Sequence, residues 1–337
     1  MKLMLLSGGA GKRLWPLSKN PRSKQFLKIL RNRRNERESM VQRVWNQLIS
    51  ANLAGSTFVT TCETQVDMIR SQLGDSAPVI IEPERRDTFA AVALACTYLH
   101  SIAGTDANET VCFCPVDPYV EETFFGHIKQ LDGIVADSGA DIVLMGVTPS
   151  YPSEKYGYIV PEPADAHGSA AANRYRKVNR FVEKPKEADA KKLIEEHALW
   201  NCGVFAFKLG FMLTTLEKKG FPIEYEEMLD VYSSLPKNSF DHEVVEKAGH
   251  LIVSPYNGSW KDLGTWRTLT EELEPLTGKG VISENSENTH VINELDIPVA
   301  VMDVSNIIVA VSRHGILISD KKASSKIKEL YNDIEHE

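Results

Sequence analysis

Leu3-Met4-Leu5-Leu6-Ser7-Gly8-Gly9-Ala10-Gly11-Lys12-Arg13-Leu14 is the stretch on which the reading of this chain turns. Its apolar run is too short to span a membrane, which takes roughly 18 or more continuous apolar residues. It is also too short for a secretory leader, and glycines interrupt it at once. It reads as a buried first strand entering a glycine-rich turn and then two cations. Glycine lets a backbone adopt positive φ and lets its N–H groups approach an anion closely. Arg13 can add a two-pronged grip on phosphate oxygens. The turn is not a Walker A loop, because the glycine spacing differs and Arg13 stands where Ser or Thr should hold magnesium. Nor is it the dinucleotide fingerprint, since Leu14 replaces the third glycine.

Working outward, apolar runs alternate with helical patterns through the first 150 residues. Strands are expected at 57–61, 78–81, 110–114 and 141–146. Helices are expected at 88–100 and 121–137, and from Ser39, the expected N-cap of an amphipathic helix. Such alternation predicts an α/β fold: a Rossmann-like mixed, mostly parallel sheet with helices on both faces. Ligands of such sheets sit at the carboxyl ends of the strands, here the loops at 7–13, 82–88 and 115–117. Between residues 156 and 207 the strands lengthen and helices thin out, which reads as an antiparallel flap over the site. From residue 281 short β segments follow closely, and 322–334 has the apolar spacing of a last helix. The expected division is a catalytic domain at 1–275 and a small β domain at 276–337.

The 337 residues carry a net charge of -8, with 42% apolar and 25% charged residues. An acidic chain is a poor nucleic-acid binder, because affinity for the phosphate backbone comes from clustered Lys and Arg. The one basic run, Arg31 to Arg37, reads as a solvated loop. Five cysteines match no zinc spacing. Cys112 and Cys114 share one strand face and make a poor disulfide pair, so reduced, structural thiols in a cytoplasmic protein are expected. Most of the scattered tryptophans read as core or wall packing.

Further motifs follow in order: Ser23-Lys24-Gln25-Phe26-Leu27, Val116-Asp117, Phe181-Val182-Glu183-Lys184-Pro185, Leu199-Trp200-Asn201-Cys202-Gly203 and Trp260-Lys261-Asp262-Leu263-Gly264. Together with Gly8 to Ser18 they resemble the sugar-phosphate nucleotidyltransferases, most closely the bacterial mannose-1-phosphate guanylyltransferases. The resemblance runs nearly the whole length. It implies transfer of GMP from GTP to mannose 1-phosphate, giving GDP-mannose and pyrophosphate. A heptose or glucose 1-phosphate, another nucleoside triphosphate, or a catalytically silent nucleotide-sugar sensor are the alternatives. It further implies Mg2+ as cofactor, a homodimer, and a left-handed β-helix-like tail. Longer relatives carry a fused isomerase domain, so a chain of this length is expected to perform the transfer alone.

The resemblance also implies roles. Asp117 and Asp262 are the expected metal ligands, and Arg13, Lys24 and Lys184 the catalytic cations. Arg13 and Lys24 grip the triphosphate, while Leu6, Ser7, Gly8, Gly9, Gly11 and Thr88 belong to the nucleotide side. Lys184 binds the sugar phosphate, with Glu183, Asn201, Asp241 and the Gly157 backbone around the sugar. Asp87 has two readings: acceptor for the N1–H and N2–H2 of guanine, or N-cap of the alanine-rich helix. The family's His after the metal aspartate is Pro118 here.

Overall fold

The computed structural model describes residues 1–9, 12–75, 77–163 and 174–327. The N-terminal apolar run forms β1 (Lys2–Ser7), and alternate residues serve opposite faces. Leu3 and Leu5 join one core cluster and Met4 the other, the period-2 division that a strand imposes. The other main strands are β2 (Thr57–Cys62), β3 (Val79–Glu82), β4 (Thr110–Pro115), β5 (Ile142–Val147), β6 (Tyr158–Pro161), β7 (Arg176–Val182), β8 (Leu199–Lys208) and β9 (Leu251–Tyr256). They make one nine-stranded sheet in the order β3-β2-β1-β4-β8-β5-β9-β7-β6. Most run in one direction, with β8 and β7 set against their neighbours. The fold is therefore mixed α/β with a mixed sheet.

Helices cover both faces. α1 (Met40–Ser50), α2 (Val66–Leu73) and α4 (Thr123–Ser138) pack on the Leu3/Leu5 side, and α3 (Thr88–Ser101) on the other. Ser39 caps α1 through a reciprocal capping box with Gln42. α3 is buried around nearly its whole circumference, which its small alanine side chains permit.

The expected flap over the site is corrected here. The antiparallel strands between residues 156 and 207 are part of the main sheet, with β6 and β7 at one edge and β8 near its centre, between β4 and β5. An apolar run records burial but not which strand will lie beside it.

After the main sheet come β10 (Leu276–Thr277), β11 (Gly280–Ile282), β12 (His290–Asn293), β13 (Val299–Val301), β14 (Ile307–Ser312) and β15 (Gly315–Asp320). β10, β12 and β14 pair in parallel, β15 returns antiparallel to β14, and β11 pairs with β13. Val291, Val309 and Val311 face an inner cluster with Val301. Ile292, Ile308, Ala310 and Leu317 face outward instead, onto Leu14, Leu17, Leu263 and Trp266. The C-terminal strands thus share a core with the segment that follows the glycine turn. Of the expected last helix, residues 323–326 form a 3-10 turn, and 328–337 lie outside the described residues.

Candidate functional site

Three loops at carboxyl ends of parallel strands line one cleft of about 360 Å3. They are Ser7–Gly9 after β1, Arg85–Thr88 after β3, and Val116–Asp117 after β4. The expected residue Gly11 lies outside the described residues. Gly8 and Gly9 do not use positive φ, and each lies within van der Waals reach of a side chain that shapes the turn. A Cβ on Gly8 would lie 3.8 Å from Glu82 Oε1, and one on Gly9 3.8 Å from Gln25 Oε1.

A buried amide network holds this turn. Gln25 Nε2 donates to Ser7 Oγ at 3.2 Å, and Gln65 Nε2 donates to Gly9 O at 3.2 Å and Ser23 Oγ at 2.9 Å. Thr61 Oγ1 donates to the Ser7 carbonyl at 2.9 Å, and Val116 N to the Leu6 carbonyl at 3.1 Å. Gln65 escaped the sequence reading, because it belongs to no motif and its role arises only when α2 docks beneath the turn.

The Asp117 and Asp262 carboxylates meet on one ammonium. Lys24 Nζ lies 2.8 Å from Asp117 Oδ2 and 2.9 Å from Asp262 Oδ1. A short antiparallel ribbon makes this meeting possible: Pro118–Val120 pairs with Trp260–Asp262, placing Asp262 opposite Pro118. Gly264 leaves room for the second carboxylate, since a Cβ there would lie 2.8 Å from Asp262 Oδ1. Burial opposes the charge on Lys24, but the two aspartates outweigh it and hold the ammonium above its ordinary range. Burial likewise opposes ionisation of Asp262, and Lys24, with Arg13 adding to it, holds that carboxyl below the usual range. Among the described residues no group of three or more His, Cys, Asp or Glu side chains gathers to hold a metal. Two carboxylates suit a hard cation of the magnesium kind, which completes its shell with ligand phosphate oxygens and water.

A second constellation lies beyond Asp117. Asn201 sits where the pairing of β8 with β5 slips, between Asn201 and Phe205, and Gly203 takes φ of 75° within that bulge. Asn201 Nδ2 donates to Asp241 Oδ1 at 2.7 Å, and Gly203 N to Asn201 Oδ1 at 3.0 Å. Gly157 accepts the Asn201 N–H at 2.8 Å, and a Cβ on it would lie 2.5 Å from Glu183 Oε2. The Glu183 carboxylate pairs with the exposed Lys184 ammonium. Burial, and next the Glu183 charge, push the Asp241 carboxyl up to about 6. Gly157, Glu183, Lys184, Asn201 and Asp241 are therefore neighbours.

Tyr156, Trp200 and Trp260 pack edge-on beside this group, with Tyr156–Trp200 centroids 4.9 Å apart and Tyr156–Trp260 5.4 Å apart. Two of the tryptophans that look scattered in sequence thus form one aromatic wall.

At the opposite end Asp87 takes φ of 70°, and its Oδ1 accepts the Thr88 N–H at 2.7 Å. The Thr88 hydroxyl accepts from Phe240 N at 2.8 Å. Both side chains are thus engaged in starting α3 and tying it to the 239–241 turn. The carboxylate turned into the cleft is Glu82, only 5% exposed. Its Oε2 accepts from Tyr232 OH at 3.0 Å, while Oε1 faces Gly8. Burial pushes this carboxyl up to about 7 against the Tyr232 bond and Arg85. Sequence reading places Glu82 in a ligand-side loop but gives it no role, since a lone Glu before Pro83 carries no sign of burial.

Comparison with known proteins follows the same outline. A family model described as nucleotidyl transferase matches residues 2–278. Mannose-1-phosphate guanylyltransferase of Salmonella montevideo is 26% identical, over 99% of this chain and 74% of its own length. Xanthan biosynthesis protein XanB of Xanthomonas campestris pv. campestris is 29% identical, over 98% of this chain and 72% of its own. A crystal structure described as mannose-1-phosphate geranyltransferase from Thermus thermophilus matches with a TM-score of 0.80 at 26% identity, covering 99% of each chain.

Proposed function

We infer the reaction from one premise: this chain belongs to the nucleotidyl transferase family. The proposed activity is transfer of GMP from GTP to mannose 1-phosphate. An oxygen of the sugar phosphate bonds to the α-phosphorus of GTP, the bond from that phosphorus to the β-phosphate oxygen breaks, and pyrophosphate leaves. A phosphate monoester has its second pKa near ~6, so the nucleophile is ionised at neutral pH and needs no strong base. The remaining task is to hold two polyanions together and offset the charge as it builds.

The observation that carries this reading is the Lys24 ammonium shared by Asp117 and Asp262 beside the glycine turn. Three charged groups of that kind, with Asp117 just past the carboxyl end of β4, suit a triphosphate and its counter-ion. Asp117 and Asp262 would hold magnesium, which supplies cationic charge to the phosphate oxygens. Lys24 and Arg13 add positive charge on the nucleotide side, and Lys184 adds it on the sugar-phosphate side. Glu183, Asn201 and Asp241 offer acceptors and a donor amide to sugar hydroxyls.

For the base, Glu82 Oε1 supports guanine. An ionised carboxylate accepts from N1–H and N2–H2 together, and uracil or thymine offers only one such donor. Asp87 is the weaker candidate for this role, since its carboxylate already caps Thr88. Mannose rests on the relative named for it and the likeness of the sugar-side motifs. The parallel order of β10, β12 and β14 supports reading the tail as a short β-helix. A homodimer in the cytoplasm completes the proposal.

The test is pyrophosphate release with magnesium across GTP, UTP, dTTP, CTP and ATP, each with mannose or glucose 1-phosphate. Release confined to GTP with mannose 1-phosphate is expected. Release with another pair would replace the specificity, and silence with every pair, heptose 1-phosphate included, would remove the enzyme reading.

A further inference from the structure

Away from the cleft, a concavity of about 810 Å3 opens where residues 17–22 meet the C-terminal strands. Its wall gathers Lys19, Arg22, Lys28, Arg37 and Arg313 against one carboxylate, Glu294. Arg22 cancels that carboxylate through two bonds, of 2.9 and 2.7 Å. Lys19, Lys28, Arg37 and Arg313 pair with no carboxylate among the described residues.

The basic run at 31–37 looks like a solvated loop in sequence, and the fold divides it. Arg31 bonds Glu274 at 2.9 Å and Arg33 bonds Glu122 at 2.6 Å, whereas Arg37 lines the groove unpaired. Four uncompensated cations converge on a chain whose net charge is -8. Like charges gathered in a concavity repel one another and focus a positive potential that draws anions. The His314 imidazole reports that field: burial, then Arg313 and Lys19, hold it below its ordinary range, with Glu294 opposing.

We propose that this groove binds a small ligand carrying two or more phosphate groups, and that its occupancy reaches the active cleft through residues 19–24. Phosphate is the chemistry that several converging Lys and Arg side chains recognise. A long nucleic acid fits poorly, because its backbone would meet the acidic remainder of the surface. The link to the cleft is covalent and short. Lys19 and Arg22 lie between Arg13 and Lys24 in the chain, and Lys19 N donates to Arg22 O at 2.9 Å. Asn20 lines the groove, yet its Oδ1 accepts from Arg85 Nη2 at 3.1 Å, and Arg85 lines the cleft.

The experiment is calorimetric titration of the full chain with inorganic tripolyphosphate, comparing wild type with Lys28→Glu/Arg313→Glu. The milder Lys28→Ala/Arg313→Ala serves if the charge reversal fails to fold. The wild type should bind two equivalents, one in the cleft and one in the groove. The groove variants should lose one equivalent, or bind it at least about tenfold more weakly. Hydrogen exchange at residues 17–22 should slow more with tripolyphosphate in the wild type than in the variants, which keep only the cleft equivalent. Unchanged stoichiometry and affinity in the variants would overturn the site. A variant that loses the groove equivalent, with turnover in saturating substrates responding to tripolyphosphate as in wild type, would overturn the link to the cleft. Slowed exchange with single-stranded DNA but not with tripolyphosphate would replace the small ligand by a nucleic acid. Binding and exchange need no catalysis, so these arms stand apart from the transfer reaction.

Discussion

What sets Asp117 and Asp262 apart from an ordinary ion pair is that they share one ammonium, that of Lys24. Removing either charge leaves Lys24 with half its compensation and the cleft short of a carboxylate. Asp117→Asn and Asp262→Asn should each lower kcat on the order of 10³-fold, the scale set by losing a group that acts on transition-state charge. Pyrophosphate release measures this, and an unchanged melting profile shows that the fold persists. EDTA should stop turnover in the wild type and magnesium restore it.

Glu82 makes a prediction in pH. Its carboxyl is pushed up to about 7, so the ionised form that accepts both base donors fills as pH rises through 7. The kcat/KM for GTP should fall as pH drops through 7, and Glu82→Gln should flatten that limb and lower guanine preference about 10²-fold. Stability moves the other way. A carboxyl raised in the fold binds protons that the unfolded chain has released, so the Glu82 contribution to stability declines from pH 4.5 to 7. Glu82→Gln should therefore melt higher than wild type at pH 8 and nearly with it at pH 4. The two aspartates were legible in the sequence because each sits in a motif. Glu82 and Gln65 were not, because burial and the partner across the cleft are properties of the assembled fold.

Among the elements, the bulge in β8 is the device that aims Asn201 at Asp241 and brings Gly157 beneath Glu183. Gly157→Ala would drive a Cβ against Glu183 Oε2 and Phe181 Cζ, at 2.5 and 2.8 Å. The fold can survive that shift, but the Glu183 position cannot. A loss of about 10²-fold in kcat/KM for the sugar phosphate is expected, with KM for the nucleotide little changed. Equal losses for both substrates would contradict a local displacement. Helices and early strands were readable because periodicity and capping are local, as Ser39 and Gln42 illustrate. The strands between residues 156 and 207 were recognised as strands but misplaced as a flap. Their neighbours are chosen by long-range pairing, which no local pattern encodes.

Over the whole molecule, the C-terminal strands act as a buttress for the segment between the glycine turn and Lys24. Ser312 Oγ donates to the Pro16 carbonyl at 2.8 Å, and Trp266 Nε1 to the Trp15 carbonyl at 3.2 Å. A Cβ at Gly315 would lie 2.6 Å from the Trp15 ring. Gly315→Val should therefore impair turnover far from the chemistry, while Glu294→Ala, which removes only a partly exposed ion pair, should cost less than about 1 kcal/mol. Steady-state rates and thermal melts distinguish the two. A shared core crosses the expected division near residue 275: Ile292, Ile308 and Leu317 complete a cluster begun by Leu14 and Leu17.

The central place of β8 has a consequence for how the chain is born. On the ribosome β1 emerges first, and β2, β3 and β4 can pair as they follow, since each lies beside a strand already made. β4 then offers a bare edge, buried only when residues Leu199–Lys208 arrive and run antiparallel to it. Until synthesis has passed Lys208, the nascent protein carries an open, apolar strand edge of the sort that invites aggregation or a chaperone.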